Sequence, residues 1–143
     1  LLGLVGSEMC IRDRDVDIKR KEKNWGRSLS NKTSYVWAKE KNTSEQYHYH
    51  VAIFLNKDIY HRLGDVGASE GCLAALMKQA WCSAIKQDKP ALVHFCKNGV
   101  YYLNLNSSDV QSSKNELFKR VCYFAKPYSK VYEGNARNFG TSS

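Results

Sequence analysis

Two histidines separated by one residue are the side chains in this sequence best placed to do chemistry. His48 and His50 lie in the stretch YHYHVAIFL, residues 47–55, whose β-branched and aromatic residues favour an extended strand. Residues i and i+2 of a strand point to the same face, about 6.5–7 Å apart at ~3.3 Å per residue. Two imidazoles at that spacing can share one divalent ion. The alternative interpretation is that ordinary hydrogen bonds satisfy both rings.

The strand that holds this pair needs a partner, and the sequence offers one directly upstream. Residues 34–40 (SYVWAKE) alternate in the same way, and the polar stretch 41–46 favours a loop, so we predict an antiparallel hairpin. Apolar residues continue the His-bearing stretch on its other face, which predicts an interior strand with a polar site on one side. If even-numbered residues pair with even-numbered residues, Glu40 shares the face of the histidines; a slip of one residue turns it away.

The remaining elements follow from periodicity and from glycine and proline positions. We predict a frayed helix and loop over 15–32, a helical turn over 57–64, a helix over 69–87, strands over 92–95 and 100–104 joined by an Asn-Gly turn, a helix over 109–126 and an irregular tail over 129–143. This order predicts an α+β fold, in which helices pack on an antiparallel sheet of about four to five strands.

Composition and charge limit the class of protein. A chain of 143 residues fits one domain, and no apolar run is long enough to span a bilayer. The formal net charge of +8 is concentrated toward the two ends of the chain, and a basic surface suits a polyanion, most often a nucleic acid. The five cysteines form no Cys-x-x-Cys pair, so they read as reduced thiols of a cytoplasmic protein and not as a zinc site.

A second group of reactive residues lies on the last predicted helix. Tyr123 and Lys126 are spaced i, i+3 and share one face of the helix, and Lys119 lies one turn earlier on that face. A Tyr-x-x-Lys pattern is common by chance. In combination with a His-x-His pair on a strand, the Tyr-x-x-Lys pattern becomes a specific signal of a functional site.

In this combination the chain resembles the HUH single-strand nucleases, and more closely the YagK/YfjJ C-terminal-domain family, also called inovirus gene-two-product-like replication proteins. The resemblance covers roughly residues 30–143. It rests on six short motifs: 35–40 (YVWAKE), 48–51 (HYHV), 63–65 (LGD), 92–95 (LVHF), 123–126 (YFAK) and 138–142 (NFGTS). Pro127, directly after Lys126, departs from the family pattern.

The resemblance implies a metal-dependent DNA nickase and strand transferase of the rolling-circle initiator type. His48 and His50 would bind Mg²⁺ or Mn²⁺, and Glu40 is our candidate for a third, oxygen ligand. Tyr123 would attack the scissile phosphate and remain linked to the 5′ phosphate. Lys126 would assist it, because a tyrosine of ordinary pKa, about 10, is protonated at neutral pH. Tyr128 and Tyr132 are weaker alternatives, because neither has a lysine at i+3 and both follow the proline.

The expected substrate is single-stranded or hairpin DNA at a replication origin, with host replication proteins as candidate partners and no membrane. Candidate DNA-binding residues are Lys119, Arg120, Lys130 and Tyr49. Trp37 could also stack on a base, but core packing is the favoured interpretation for it.

Residues 1–14 (LLGLVGSEMCIRDR) resemble a translated sequencing-adapter fragment, which predicts an artefactual segment. Residues 15–143 then form an HUH-like replication-initiation domain that lacks its N-terminal part. Two other functions remain open. One is a non-catalytic nucleic-acid-binding regulator of prophage origin; the other is a metal-independent phosphodiesterase that uses paired histidines as acid and base.

Overall fold

The computed structural model of the chain describes residues 8–29, 32–41, 46–126 and 137–142. Its elements are α1 (Glu8–Trp25), β1 (Ser34–Lys41), β2 (Tyr47–Phe54), α2 (Leu73–Ile85), a 3₁₀ turn (Pro90–Leu92), α3 (Val110–Cys122), a second 3₁₀ turn (Tyr123–Ala125) and β3 (Phe139–Thr141). The fold is therefore α+β, as the sequence predicts. The chain divides into two compact units, one formed by Leu1–Asn31 with Asn56–Val100 and the other by Lys32–Leu55 with Tyr101–Ser143.

The sheet belongs to the second unit and has the order β2-β1-β3, with both pairs antiparallel. The predicted hairpin is confirmed by the pairing of β1 with β2. The prediction of an interior His-bearing strand is wrong for the part of the chain that the structure describes. There β1 is central and β2 lies at an edge, because β3 pairs with β1. The tail predicted to be irregular supplies this third strand.

The two strands predicted over 92–95 and 100–104 do not form. Leu92 ends the 3₁₀ turn that begins at Pro90, and the following residues to 96 are irregular. The Asn-Gly turn does form: Asn98 has a φ of 54°, and the Gly99 amide donates to the Cys96 carbonyl at 3.0 Å. The flanking residues lack a sheet partner among the described residues, and Tyr102 is 57% exposed.

In the first unit, α1 is anchored to the loop after β2 through one carboxylate. Asp17 accepts hydrogen bonds from Tyr60 at 3.0 Å and from Arg20, and forms an ion pair with Lys21 at 3.0 Å. Burial acts to raise the pKa of Asp17, but these hydrogen bonds and the charge of Lys21 outweigh it and hold the pKa below 3.8. Lys21 also lies over the Tyr60 ring, 3.9 Å from its centroid.

The helices α2 and α3 are shorter than the sequence predicts, for local reasons. Gly71 has a φ of 80°, which delays the start of α2 to Leu73. The left-handed conformation of Lys86 (φ 54°, ψ 37°) ends it. After α3, Lys126 has a ψ of 122°, as expected for a residue that precedes proline, so the chain leaves helical geometry before Pro127.

Candidate functional site

The register of β1 and β2 decides which side chains share a face. Glu40 lies opposite His48, and Ala38 lies opposite His50. Directly opposed residues of an antiparallel pair project to the same side of the sheet. Even-numbered residues therefore pair with even-numbered residues, which is the one of the two registers considered that places Glu40 on the face of both histidines. We call this side the histidine face.

A buried carboxylate is the centre of the histidine face. Glu40 is only 7% exposed, and Ala38 beside it is fully buried. The Nε2–H of His50 donates to Glu40 Oε2 across 3.0 Å. A buried carboxylate requires such a donor, because its removal from water is otherwise unfavourable by several kcal/mol. His48, opposite Glu40, is exposed.

The spacing of the donor atoms on the histidine face can be compared with that of ligands around a divalent ion. The Nε2 and Oε2 atoms of His50 and Glu40 lie 3.0 Å apart. Adjacent ligands of an octahedral ion are also about 3.0 Å apart when each bond is ~2.1 Å, so the two atoms fit neighbouring positions around Mg²⁺. No group of three His, Cys, Asp or Glu side chains that could hold a metal is found in the described residues. Within those residues one His–Glu pair is in contact, and His48 lies on the same face as both members of the pair.

The segment that contains Tyr123 contacts the histidine face through the next residue, Phe124. The Phe124 ring packs on the His50 ring, with centroids 5.5 Å apart and planes inclined by 30°. Both sit in the second unit, although 74 positions separate them in sequence (124 − 50). Tyr123 precedes Phe124 in the 3₁₀ turn after α3 and is 63% exposed. The turn that holds Tyr123 therefore lies against the histidine face.

Lys126 is already associated with Tyr123. Its Nζ lies 2.7 Å from the centroid of the phenol ring. The i, i+3 spacing predicted this pair, although the segment is a 3₁₀ turn and not the predicted α-helix. A cation at this position is attracted by the electron-rich face of the ring.

The four predicted DNA-binding residues fall in different places. Lys119 and Arg120 are exposed in the last turn of α3, next to Tyr123 in sequence. Tyr49 lies on the face of the sheet opposite the histidines, since it falls between them on β2. Burial raises the pKa of Tyr49 above 10.0, so its hydroxyl stays neutral. Lys130 lies outside the described residues.

Sequence reasoning missed Phe124 as a component of the site. A signal for it is present in the sequence, because Leu117, Val121 and Phe124 recur at the spacing of one helix face, and all three are half-buried. The sequence did not indicate that Phe124, the last of these three residues, contacts His50. The packing of Trp37 over Gly140 was also missed: a Cβ at residue 140 would lie 2.4 Å from the indole Nε1.

No helix within the described ranges combines the length and apolar character needed to cross a bilayer. No solved structure matches the chain. Two curated relatives from Escherichia coli K12 do match, both named as uncharacterized proteins. YagK is 41% identical over 110 residues, which cover 75% of this chain and 52% of YagK. YfjJ is 31% identical over 131 residues, 90% of this chain and 63% of YfjJ.

The chain thus spans between about half and two thirds of the length of these curated relatives. The model of the YagK/YfjJ C-terminal domain matches residues 10–142, which include both strands of the histidine face and the Tyr123 turn. The chain belongs to the YagK/YfjJ C-terminal domain family.

Proposed function

We propose that this chain is a metal-dependent single-strand DNA nickase and strand transferase of the rolling-circle initiator type. The observation that supports it best is the contact between the Phe124 and His50 rings, 5.5 Å between centroids. It brings the turn that contains an exposed tyrosine against the face that contains a His–Glu pair. The two reactive groups that the sequence separates are therefore parts of one compact unit.

The metal ligands in this proposal are His48, His50 and Glu40. A bound Mg²⁺ or Mn²⁺ would supply Lewis-acid polarisation of the scissile phosphate. Without an ion, Glu40 is held by its hydrogen bond with His50 and by its burial; ion binding would displace the proton on His50 Nε2, so that this atom and Glu40 Oε2 could both act as ligands. His48 completes the set by rotation of its exposed side chain toward Glu40, its partner in the register. Phe124 packs against the His50 ring, and 41% of the His50 side chain remains exposed.

Tyr123 is the nucleophile. Its Oη forms a new bond to phosphorus as the bond from phosphorus to the 3′ oxygen breaks. The phenol proton passes to solvent, and the departing 3′ oxygen takes up a proton to become a hydroxyl. The number of phosphodiester bonds is unchanged, so the step is reversible and allows strand transfer. Lys126, placed over the Tyr123 ring, stabilises negative charge on the attacking oxygen.

The substrate strand approaches across the end of α3. Lys119 and Arg120 are exposed there in the last helical turn, one turn or less from Tyr123. Cations in this position pair with phosphate oxygens and hold the strand without sequence preference. Lys130 is a further candidate for such a contact.

The direct test is formation of a covalent adduct. The full chain is incubated with Mn²⁺ and a pool of random-sequence single-stranded oligonucleotides labelled at the 3′ end, and denaturing gels reveal labelled protein. We expect an adduct that Tyr123→Phe abolishes and that EDTA prevents. The double variant His48→Ala with His50→Ala should also lose it. Tyr102→Phe, which alters another exposed tyrosine of the same unit, is the matched control and should retain it.

The outcomes separate the candidate functions. An adduct that persists in Tyr123→Phe contradicts the assignment of the nucleophile, and one that persists in the double histidine variant contradicts the metal site. DNA binding without an adduct in Mg²⁺ or Mn²⁺ would instead support the non-catalytic regulator. Cleavage in EDTA that depends on both histidines would support the acid–base phosphodiesterase.

A further inference from the structure

The face of the sheet opposite the histidines has a different composition. The odd-numbered residues of β1 and β2 project there, and over the half of the hairpin nearest its loop they are aromatic or basic: Trp37, Lys39, Lys41, Tyr47 and Tyr49. We call this group the aromatic–lysine face. None of the five is fully buried, and Tyr47 is 39% exposed.

The rings and cations of this face are close to one another. The Trp37 and Tyr49 rings have centroids 6.4 Å apart and are inclined by 48°. Lys39 Nζ lies 3.7 Å from the centroid of the Tyr47 ring, and Lys41 Nζ lies 5.5 Å from the same centroid. The face thus combines one exposed ring, two half-buried rings and two positive charges beside the exposed ring.

Trp37 is fixed in position by the neighbouring strand. Its indole lies across Gly140 of β3, where an added Cβ would come within 2.4 Å of Nε1. The backbone of β3 therefore supports the ring from beneath, which limits its rotamers before any ligand arrives. A ring that is already ordered loses less conformational entropy when a planar ligand stacks on it.

The chemistry of this face suits a single strand of nucleic acid. Bases stack on aromatic rings, and ammonium groups beside the rings pair with the phosphates of the same strand. In a duplex the base faces are already stacked and cannot use the rings. The net charge of +8 adds a general attraction for a polyanion.

We propose that the aromatic–lysine face binds single-stranded DNA, by base stacking on Tyr47, Tyr49 and Trp37 and by phosphate contacts from Lys39 and Lys41. The site lies on the side of the sheet away from Glu40 and His50, and it needs no metal. It does not rest on the nickase proposal: a chain that binds here can be catalytic or not.

The test measures binding of fluorescein-labelled oligo(dT) by anisotropy, in EDTA and over a range of salt concentrations. Tyr47→Ala should weaken binding about 5-fold or more, since a stacked base contributes ~1–3 kcal/mol. Tyr47→Phe, which keeps the ring, should bind like the unaltered chain. The double variant Lys39→Gln with Lys41→Gln should reduce the slope of log K against log salt by about 1.4, the value for two phosphate contacts to a single strand.

The matched controls are at another exposed aromatic–cation pair. Arg27 lies 5.6 Å from the centroid of the Trp25 ring at the end of α1, and Trp25 is 42% exposed. Trp25→Ala and Arg27→Gln should leave binding within about 2-fold. Trp37 gives a second readout: oligo(dT) should quench tryptophan fluorescence in the unaltered chain and in Trp25→Phe, but much less in Trp37→Phe.

Three results would overturn the proposal. The first is equal weakening by Trp25→Ala and Tyr47→Ala, which would show that binding is not localised to this face. The second is competition by duplex DNA as strong as that by single strands. The third is loss of EDTA-resistant binding in His50→Ala with no loss in a folded Tyr47→Ala. If Tyr47→Ala is unfolded by circular dichroism, Tyr47→Leu replaces it, and unweakened binding by that variant also contradicts the proposal.

Discussion

The two faces of one hairpin present different side chains. On the histidine face, Ala38 is fully buried, Glu40 is 7% exposed, and His50, whose side chain is 41% exposed, contacts the Phe124 ring. On the aromatic–lysine face, Tyr47 is 39% exposed and has a lysine over its ring. The same eight-residue strands build both, because successive side chains of a strand project to opposite sides.

The difference indicates that the two faces have different functions. The Glu40 carboxylate is largely withdrawn from water, whereas its partner His50 is 41% exposed and accessible to a reacting group. Accessible rings and lysines suit a ligand that is held without reaction. Substitutions at neighbouring positions in sequence should therefore have separable effects, one set on strand cleavage and the other on metal-independent binding.

Removal of Glu40 should give the largest effect. Glu40→Ala takes away a proposed metal ligand and the acceptor of His50, so we expect adduct formation in Mn²⁺ to fall about 100-fold or more. Oligo(dT) binding in EDTA should not change. Glu40→Gln keeps the side-chain volume and one oxygen, and should retain more of the fold stability than Glu40→Ala. Full activity in Glu40→Ala would show that the carboxylate has only a structural role.

Gly140 tests how the aromatic–lysine face is ordered. Gly140→Ala places a Cβ against the Trp37 indole, and overpacking of this kind costs about 1–3 kcal/mol of unfolding free energy. Urea denaturation of Gly140→Ala, Trp37→Leu and the double variant forms a cycle. The second substitution should recover much of the loss, because the smaller side chain leaves room for the methyl group. Additive losses would contradict the contact.

Two lysine–tyrosine pairs allow a reciprocal test. Lys126 lies over Tyr123 beside the histidine face, and Lys39 lies over Tyr47 on the other face. Lys126→Met should lower adduct formation about tenfold, as expected for the loss of ~1.4 kcal/mol of transition-state stabilisation. It should leave binding in EDTA intact. Lys39→Met should do the reverse. Parallel losses in both assays from either variant would contradict the separation of the two faces.

The smallest expected effect is that of acidic pH on the free energy of unfolding, and it arises in the first unit, at Asp17. The pKa of Asp17 is below 3.8 in the folded chain, so its pairing stabilises the fold above the unfolded-state pKa and is lost as pH falls through the lower folded value. Urea denaturation at pH 7 and pH 3 should show a smaller acid-induced loss for Asp17→Asn than for the unaltered chain. Asp88→Asn, at an exposed position, should behave like the unaltered chain. An unchanged loss in Asp17→Asn would contradict the role of the Asp17 network.

Local pattern was sufficient to predict the hairpin of the site. Alternation over residues 34–40 and 47–55 located β1 and β2 to within one residue at their ends, and helical periodicity located α3. The sequence left the register open between two alignments, and the structure adopts the one that places Glu40 on the face of the histidines. These features depend on neighbours in sequence, whose side-chain directions are fixed by a period of two or 3.6.

Pairing between distant segments was not predictable in the same way. Residues 92–95 have strand-forming side chains, yet the described structure gives them no strand to pair with. Phe139 to Thr141 form a strand despite the glycine at its centre, because β1 offers an open edge to which they hydrogen-bond. Strand propensity describes how well a side chain fits a pleated sheet. Whether a neighbouring strand is present to complete that sheet depends on the rest of the fold.

The position of β3 also affects the order in which the sheet can assemble on the ribosome. The first neighbour of β1 is β2, which is synthesised within a few residues of it. The second neighbour, β3, is synthesised about a hundred residues later. Hydrogen bonds of 2.9 and 3.0 Å between Ser142 and Tyr35 then join the end of β3 to β1. Until then one edge of β1 has unpaired backbone groups, which is the condition under which nascent chains associate with one another. A shortened chain that ends before residue 139 would keep this open edge permanently, so aggregation during synthesis is its expected failure.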